Sequence, residues 1–340
     1  MVKGTGATIA TLLAADIGGT KSELAIFSLN EAGSQSLIQR RYINADYAAV
    51  EEIFERFLSE CGYLPQVAAI AMAGVVTGGR AAMTNLPWVI DSRLLEQRFG
   101  FRKVQLMNDL TAVSGSIPLL GPDDLLEIQK GKASSGGIRG IVAPGTGLGE
   151  GMLLEMNGRL FARGSEGGHT DFAPVDEEQL ALLAWMRRKK TPVSYEMLIA
   201  GPGIANLYDF SREHTGIPES PQIVQAMSQA TDTIPVIVDG AMGRAACPLC
   251  RHVIELFLSI LGSEAGNLAL KLYAIGGMYL GGGVLPRLVG EVPFAGFLRA
   301  FNSKGAMSGL MGEIPVNLIL RLDAALIGAA SIGRTQLQEG

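Results

Sequence analysis

Two short glycine-rich stretches, roughly 130 residues apart, constrain the fold of this 340-residue chain more than any other feature. Each lies between two apolar runs. Thr8 to Ala15 reads as a buried strand, Asp16-Ile17-Gly18-Gly19-Thr20 as a tight turn, and Lys21 to Ser28 as the strand that returns from it. Gly140 to Ala143, Pro144-Gly145-Thr146-Gly147-Leu148-Gly149 and Gly151 to Met156 repeat the device. The interval is too long for a solenoid repeat and fits two related α/β halves.

Further elements agree with that class. Leu37 to Ile43 extends the first hairpin into a meander. Val50, Ile53, Phe54, Phe57 and Leu58 share one face of a helix over 47–61. Buried strands follow over 67–73 and into Val104-Gln105-Leu106-Met107-Asn108-Asp109, separated by a helix that Asp91-Ser92 starts and Gly100 ends. In the second half, helices are expected near 177–190, 203–214, 220–230 and 249–272. Gly276 to Pro286 reads as strand, glycine turn and helix start, and a last helix runs from about Ala324 to Arg334.

Composition sets the limits. Hydrophobic residues are 48% of the chain and charged residues 18%, ample for large cores, and the net charge of −5 comes without a basic block, against a nucleic-acid surface. Three cysteines cannot form a disulfide framework, which points to a reducing compartment. Residues 1–15 faintly resemble a signal peptide, but cleavage at Ala14-Ala15 would remove the strand leading into the first turn. Residues 61–79 carry no charge, yet Pro65, Gly74, Gly78 and Gly79 break the run. The expectation is a cytoplasmic protein without a membrane span.

Four groups of residues carry chemistry. Glycines let a backbone approach an anion and turn its N–H groups toward it, and a threonine hydroxyl can donate to phosphate. Both turns therefore suit phosphate, and both also suit ordinary hairpins. Asp16 could orient water on Mg²⁺, which keeps several waters and few protein ligands. Asn108-Asp109 closes a strand, a rigid place for a catalytic carboxylate and equally a helix cap. Glu166-Gly167-Gly168-His169 and Glu196 are the kinds of group that grip sugar hydroxyls; a loop of solvated charges is the alternative, as is a metal, without a second ligand pair nearby. Gly281-Gly282-Gly283 leads into a helix whose N-terminus could face a nucleotide. Cys247-Pro248-Leu249-Cys250 lacks the second pair a zinc site needs and reads as helix core. There is no P-loop, and no G-x-G-x-x-G follows a strand.

Together these residues resemble the bacterial glucokinase family of the actin-like/hexokinase superfamily. The resemblance spans nearly the whole chain. It rests on Asp16 to Thr20, Met83-Thr84-Asn85, Asn108 to Val113, Gly145 to Gly149, Glu166 to Pro174, Gly201-Pro202-Gly203 with Asn206 to Tyr208, Gly266 to Leu270, Gly282-Gly283 with Pro286-Arg287, and Lys304-Gly305. It implies two actin-like, ribonuclease H-like α/β domains with a cleft between them. The smaller would be 1–118 plus about 323–340 and the larger 119–322, with Gly121 to Asp124 at the hinge. It implies ATP-dependent phosphorylation of glucose at its 6-hydroxyl, with Asp109 as general base. Asn85, Asn108, Glu166, His169 and Glu196 would hold the sugar. Asp16, Gly18, Gly19, Thr20 and Lys21, with Gly145, Thr146, Gly147 and Gly149, would hold ATP phosphates, Gly282 and Gly283 would lie against adenosine, and Mg²⁺ would sit at Asp16, directly or through water. The family also suggests a homodimer, no nucleic acid and no membrane. Lys21 stands where asparagine is frequent and Pro144 where a small residue is. A kinase for another hexose, a sugar-sensing binding protein and an actin-like ATPase are the alternatives.

Overall fold

The protein is described from a computed structural model, over residues 10–29, 35–83, 86–243 and 245–337. It divides into two compact units: residues through Gly121 with Leu160–Gly164 and the chain from Arg321, and Pro122–Arg159 with Ser165–Leu320.

The first unit is built on β1 (Thr11–Ile17), β2 (Lys21–Ser28), β3 (Ile38–Ile43), β4 (Val67–Met72) and β8 (Lys103–Asn108), in the order β3-β2-β1-β4-β8. Strands β1, β2 and β3 form an antiparallel meander, and β4 and β8 add parallel to β1. Between them, α1 (Val50–Cys61) buries Val50, Ile53, Phe54 and Phe57, and Gly62 ends it at φ +69°. A small sheet of β5 (Val76–Thr77), β6 (Arg80–Ala82) and β7 (Val89–Asp91) follows, and Asp91 accepts from the Arg93 and Leu94 N–H groups to start α2 (Ser92–Phe99). Helix α3 (Asp109–Ser116) leaves the end of β8 directly.

The second unit repeats the plan. Its sheet has β9 (Leu125–Gln129), β10 (Arg139–Pro144), β11 (Leu148–Met156), β13 (Gly277–Leu280) and β14 (Val316–Ile319). With β12 (Arg159–Ser165), the strand whose Leu160–Gly164 are grouped with the first unit, the full strand order is β12-β11-β10-β13-β14-β9. Again a hairpin around a glycine turn continues into strands parallel to its first member. The helices are α4 (Glu177–Lys189), α5 (Glu196–Ile199), α6 (Gly201–His214), α7 (Pro221–Gln229), α8 (Ile234–Gly240), α9 (Pro248–Leu272), α10 (Leu285–Leu288), α11 (Ala295–Asn302) and α12 (Ser308–Glu313). By length and composition α9 could cross a membrane, but 78% of its apolar window is buried inside the protein, so it is a core helix. Cys247 and Cys250, both buried, belong to that core.

The alternation of side chains along a strand sorts the first sheet into two cores. Leu13, Ala15 and Ile17 of β1 pack with α1, while Leu12 and Ala14 pack with the last helix, α13 (Ala324–Leu337). Small residues let α13 approach closely. A Cβ on Gly328 would lie 1.7 Å from the Ala112 carbonyl oxygen of α3, and one on Gly333 would lie 2.8 Å from Ala69 Cβ of β4. The backbone of α3 cannot give way without moving the end of β8. Gly328→Ala is therefore expected to destabilise the protein by about 3 kcal/mol in urea unfolding. A change within ~0.5 kcal/mol would contradict the packing described.

Candidate active site

In the first unit, the parallel strands β1, β4 and β8 end together. Ile17, Met72 and Asn108 occupy one row across the sheet, Asp16 lies one row earlier, and Asp109 opens α3. With strands about 4.8 Å apart, β1 and β8 lie roughly 10 Å from each other. Asn108 does the capping: its Oδ1 accepts from the Leu110 N–H at 2.9 Å, and its Nδ2 donates to the Gly74 carbonyl at 3.3 Å. Asp109 Oδ1 also accepts from Leu110 N–H, at 2.8 Å. Gly164 donates to Thr111 Oγ1 at 2.8 Å, and a Cβ there would lie 2.4 Å from Asn108 Oδ1.

The first turn is held by a residue that sequence reasoning missed. Asn44 is buried and donates through Nδ2 to the Gly18 carbonyl at 2.8 Å, and its N–H donates to the Thr20 carbonyl at 3.0 Å. Ser22 Oγ in turn donates to Asn44 Oδ1 at 2.7 Å. A lone asparagine after a strand looks like a turn residue, so the sequence carries no signal for this pairing. Lys21 is half-exposed and faces Glu23 at 3.4 Å, while Glu23 also accepts from Arg41 and Gln39. Burial first, then the negative charges of Asp109 and Glu23, push the Asp16 carboxyl up to about 7, with Lys21 pulling it back.

In the second unit, Glu196 organises the glycine turn. Its Oε2 accepts from the Leu148 N–H at 2.9 Å, and its Oε1 lies 3.7 Å from His169 Nδ1. Gly145 donates to the Gly147 carbonyl at 2.8 Å, and Gly201 donates to the Gly145 carbonyl at 2.7 Å. A Cβ on Gly147 would lie 2.7 Å from Glu196 Oε2, and one on Gly168 would lie 2.3 Å from the Leu148 carbonyl oxygen. The Glu166–His169 loop thus sits against the turn, with Glu166 and His169 exposed. Gly282, at φ +86°, comes so close to the turn that a Cβ would lie 1.9 Å from the Pro144 carbonyl oxygen, whereas Gly283 faces open space. The helix expected after these glycines is a single turn, α10, with Pro286 in its first turn and Val289 already extended. A cavity of about 290 Å³ beside the turn is lined by Thr146, Glu196, Asn206, Lys189 and Lys190, the two lysines being further residues the sequence reading missed. Asn85 and Thr84 lie outside the described residues.

Among the described residues no group of three or more His, Cys, Asp or Glu could hold a metal ion by itself. A glucokinase family model matches residues 13–336. The chain belongs to the glucokinase family. It is 38% identical over 332 residues to a glucokinase of Nostoc punctiforme, an alignment covering 94% of this chain and 97% of that one. Among solved structures, the glucokinase of an Antarctic psychrotroph superposes with a TM-score of 0.81 at 30% identity, covering 96% of this chain and 99% of that one. A ROK family glucokinase from Streptomyces griseus, solved with glucose and AMPPNP, superposes with a TM-score of 0.65 at 19% identity, covering 96% and 100%. As a family member the protein is a sugar-phosphorylating enzyme with the two-domain actin-like fold.

The close approach of Gly282 to Pro144 makes the turn sensitive to one methyl group. Gly282→Ala is expected to lower stability by about 2–4 kcal/mol in urea unfolding, from the left-handed φ and the clash together. Gly283→Ala should stay within ~0.5 kcal/mol. Equal effects at both positions would contradict the geometry.

Proposed function

We propose that the enzyme transfers the γ-phosphoryl group of ATP to the 6-hydroxyl of glucose, with Asp109 as the general base. The single observation that carries this is the carboxylate of Asp109 at a fixed strand end, where Asn108 supplies the helix cap. Asn85, Asn108, Glu166, His169 and Glu196 hold the sugar, each carboxylate accepting from hydroxyls and each amide or imidazole able to do both. Glu196 also ties the sugar-gripping loop to the second glycine turn, through Leu148 and His169. Asp16 to Thr20 with Lys21, and Gly145, Thr146, Gly147 and Gly149, cradle the phosphates, and Gly282 with Gly283 lines the adenosine. ATP is also what the AMPPNP of the Streptomyces griseus relative stands in for.

A divalent cation fits the first unit by its donor set. Asp16 and Asp109 put two carboxyls at one sheet end, and the charge of Asp109 raises the cost of ionising Asp16. Mg²⁺ takes oxygen ligands and keeps most of its waters, so Asp16 can hold it through one contact or through water. When bound, the ion supplies charge neutralisation to the phosphates.

In the transfer, the 6-oxygen of glucose attacks the γ-phosphorus while its proton passes to Asp109. The bond from that phosphorus to the β–γ bridging oxygen breaks, and ADP leaves. A positioned base contributes roughly 10²–10⁴-fold, and alignment of two bound substrates on the order of 7–11 kcal/mol. Positioning by the turns and the sugar-holding groups is thus the larger share. The protein acts in the cytoplasm, consistent with three free cysteines, and works as a homodimer.

Asp109→Asn is expected to lower kcat by roughly 10²–10⁴-fold with calorimetric glucose binding unchanged. Near-normal kcat would overturn the assignment. Glu166→Gln and His169→Ala should raise the glucose KM about tenfold or more, the loss of one hydrogen bond to a charged or polar group. An unchanged KM in both would remove them from the sugar site.

A further inference from the structure

Two carboxyl groups buried behind the sugar-gripping loop have no part in the chemistry above. Glu150 follows the second glycine turn on β11 and is 1% exposed, and Glu264 lies midway along α9 and is 0% exposed. Glu150 stands directly beneath the loop: a Cβ on Gly167 would lie 1.9 Å from its Oε2, so any side chain there would have to displace that carboxyl. One oxygen of each carboxyl, Oε1 in both, has no hydrogen-bond partner.

Asn267 and Lys304 are already committed, and the Tyr195 hydroxyl faces Glu264. Asn267 Nδ2 donates to Glu264 Oε2 at 2.9 Å and to Tyr195 Oη at 3.1 Å. Lys304 Nζ, from the loop before α12, donates to the Ser263 carbonyl at 2.9 Å and to Asn267 Oδ1 at 2.8 Å. Lys271, on α9, has an exposed side chain whose Nζ lies 3.7 Å from Glu264 Oε1. Two buried carboxylates in contact cannot both stay ionised, and a buried acceptor without a donor is costly. A proton held between the two groups supplies a donor where both are short of one.

We propose that Glu150 and Glu264 share one proton, and that this carboxyl–carboxylate bridge is a positioning device that seats the Glu166–His169 loop for the sugar. The proposal rests on the assignment of Glu166 and His169 as sugar ligands. In support, burial first, and then the charge of Glu264, push the Glu150 carboxyl up to about 8, with Lys271 opposing. The same Glu264 charge, after burial, helps push the Tyr195 hydroxyl up to about 12. Lys304 is lowered by burial, against the pull of Glu264.

The direction with pH follows. Below about 8 the bridge is intact; above it the proton leaves, and two negative charges repel each other under Gly167. Stability behaves differently, because the unfolded carboxyl titrates near its ordinary 4.5. Between 4.5 and about 8 the folded protein binds the extra proton, so stability from this pair falls as pH rises through that window and is flat above it.

The test measures glucose KM and kcat from about pH 6 to 9.5 in the wild-type protein, Glu150→Gln and Glu264→Gln. An amide donates the same hydrogen bond and cannot ionise. The wild-type KM is expected to be flat to about pH 7.5 and then to rise toward a slope of tenfold per pH unit above about 8, as loss of one proton requires. Both glutamine variants should show a flat KM, within about threefold of wild type at pH 7, and a melting temperature that falls less between pH 5 and 8. The Gln variants leave Glu166 and His169 in place, so a rise due to those groups persists in them. The same alkaline rise in the variants, or none in the wild type, overturns the proposal. Where Glu150→Gln fails to fold, Glu264→Gln carries the comparison. Normal KM in Glu166→Gln and His169→Ala would instead remove the sugar assignment, a failure distinct from an unaltered pH profile.

Discussion

The parallel register of β1, β4 and β8 is the constraint on which the first unit depends. Backbone hydrogen bonds align Asp16 with Ala71 and Met107, and Ile17 with Met72 and Asn108. Because these parallel strands finish at the same edge, Asp16 and Asp109 lie on that edge two strands apart. The β1–β2 hairpin adds the Gly18–Thr20 turn to the same edge, and Asn44 holds the turn's carbonyls. The second unit repeats the arrangement with β10, β11, β13 and β14, so a glycine turn again closes a hairpin whose first strand is flanked by a parallel partner.

Close backbone approach is the second theme, and it explains the glycines better than loop flexibility does. Gly282 against Pro144 and Gly168 against Leu148 bring separate segments to one turn at backbone distances no side chain permits, and a side chain at Gly147 would push the Glu196 carboxylate away. Glu196 joins them electrostatically by accepting from the turn and facing His169. Behind that layer, Glu150 and Glu264 place two carboxyls beside a core of aliphatic and aromatic side chains.

Much of this was legible in the sequence where the signal is local. Continuous apolar runs announced β1, β4 and β8, the spacing of Ile53, Phe54 and Phe57 announced α1, and Asp91 with Gly100 marked both ends of α2. Asn108-Asp109 could be read as cap or as site, and Asn108 does cap α3 through Leu110 while Asp109 opens that helix. What failed was non-local or short. The strands β5 to β7 have two or three residues each, and β12 is mostly exposed, so neither offers a pattern. The helix expected after Gly283 is one turn, because Val289 leaves the helical region at once. Nothing near Asn44 in sequence names Gly18 as its partner. Glu150 did carry a signal, an acid inside an apolar strand, but its partner on α9 lies far along the chain.

The central claim is a phosphoryl transfer that needs both ATP and a sugar hydroxyl. The most direct measurement is ADP release by the purified protein with ATP and Mg²⁺, in parallel with glucose, mannose, fructose and no sugar. The expected result is rapid ADP release with glucose, matched one for one by glucose 6-phosphate, and little without sugar. Equal ADP release with and without sugar would contradict it, as would strong turnover on another hexose with none on glucose.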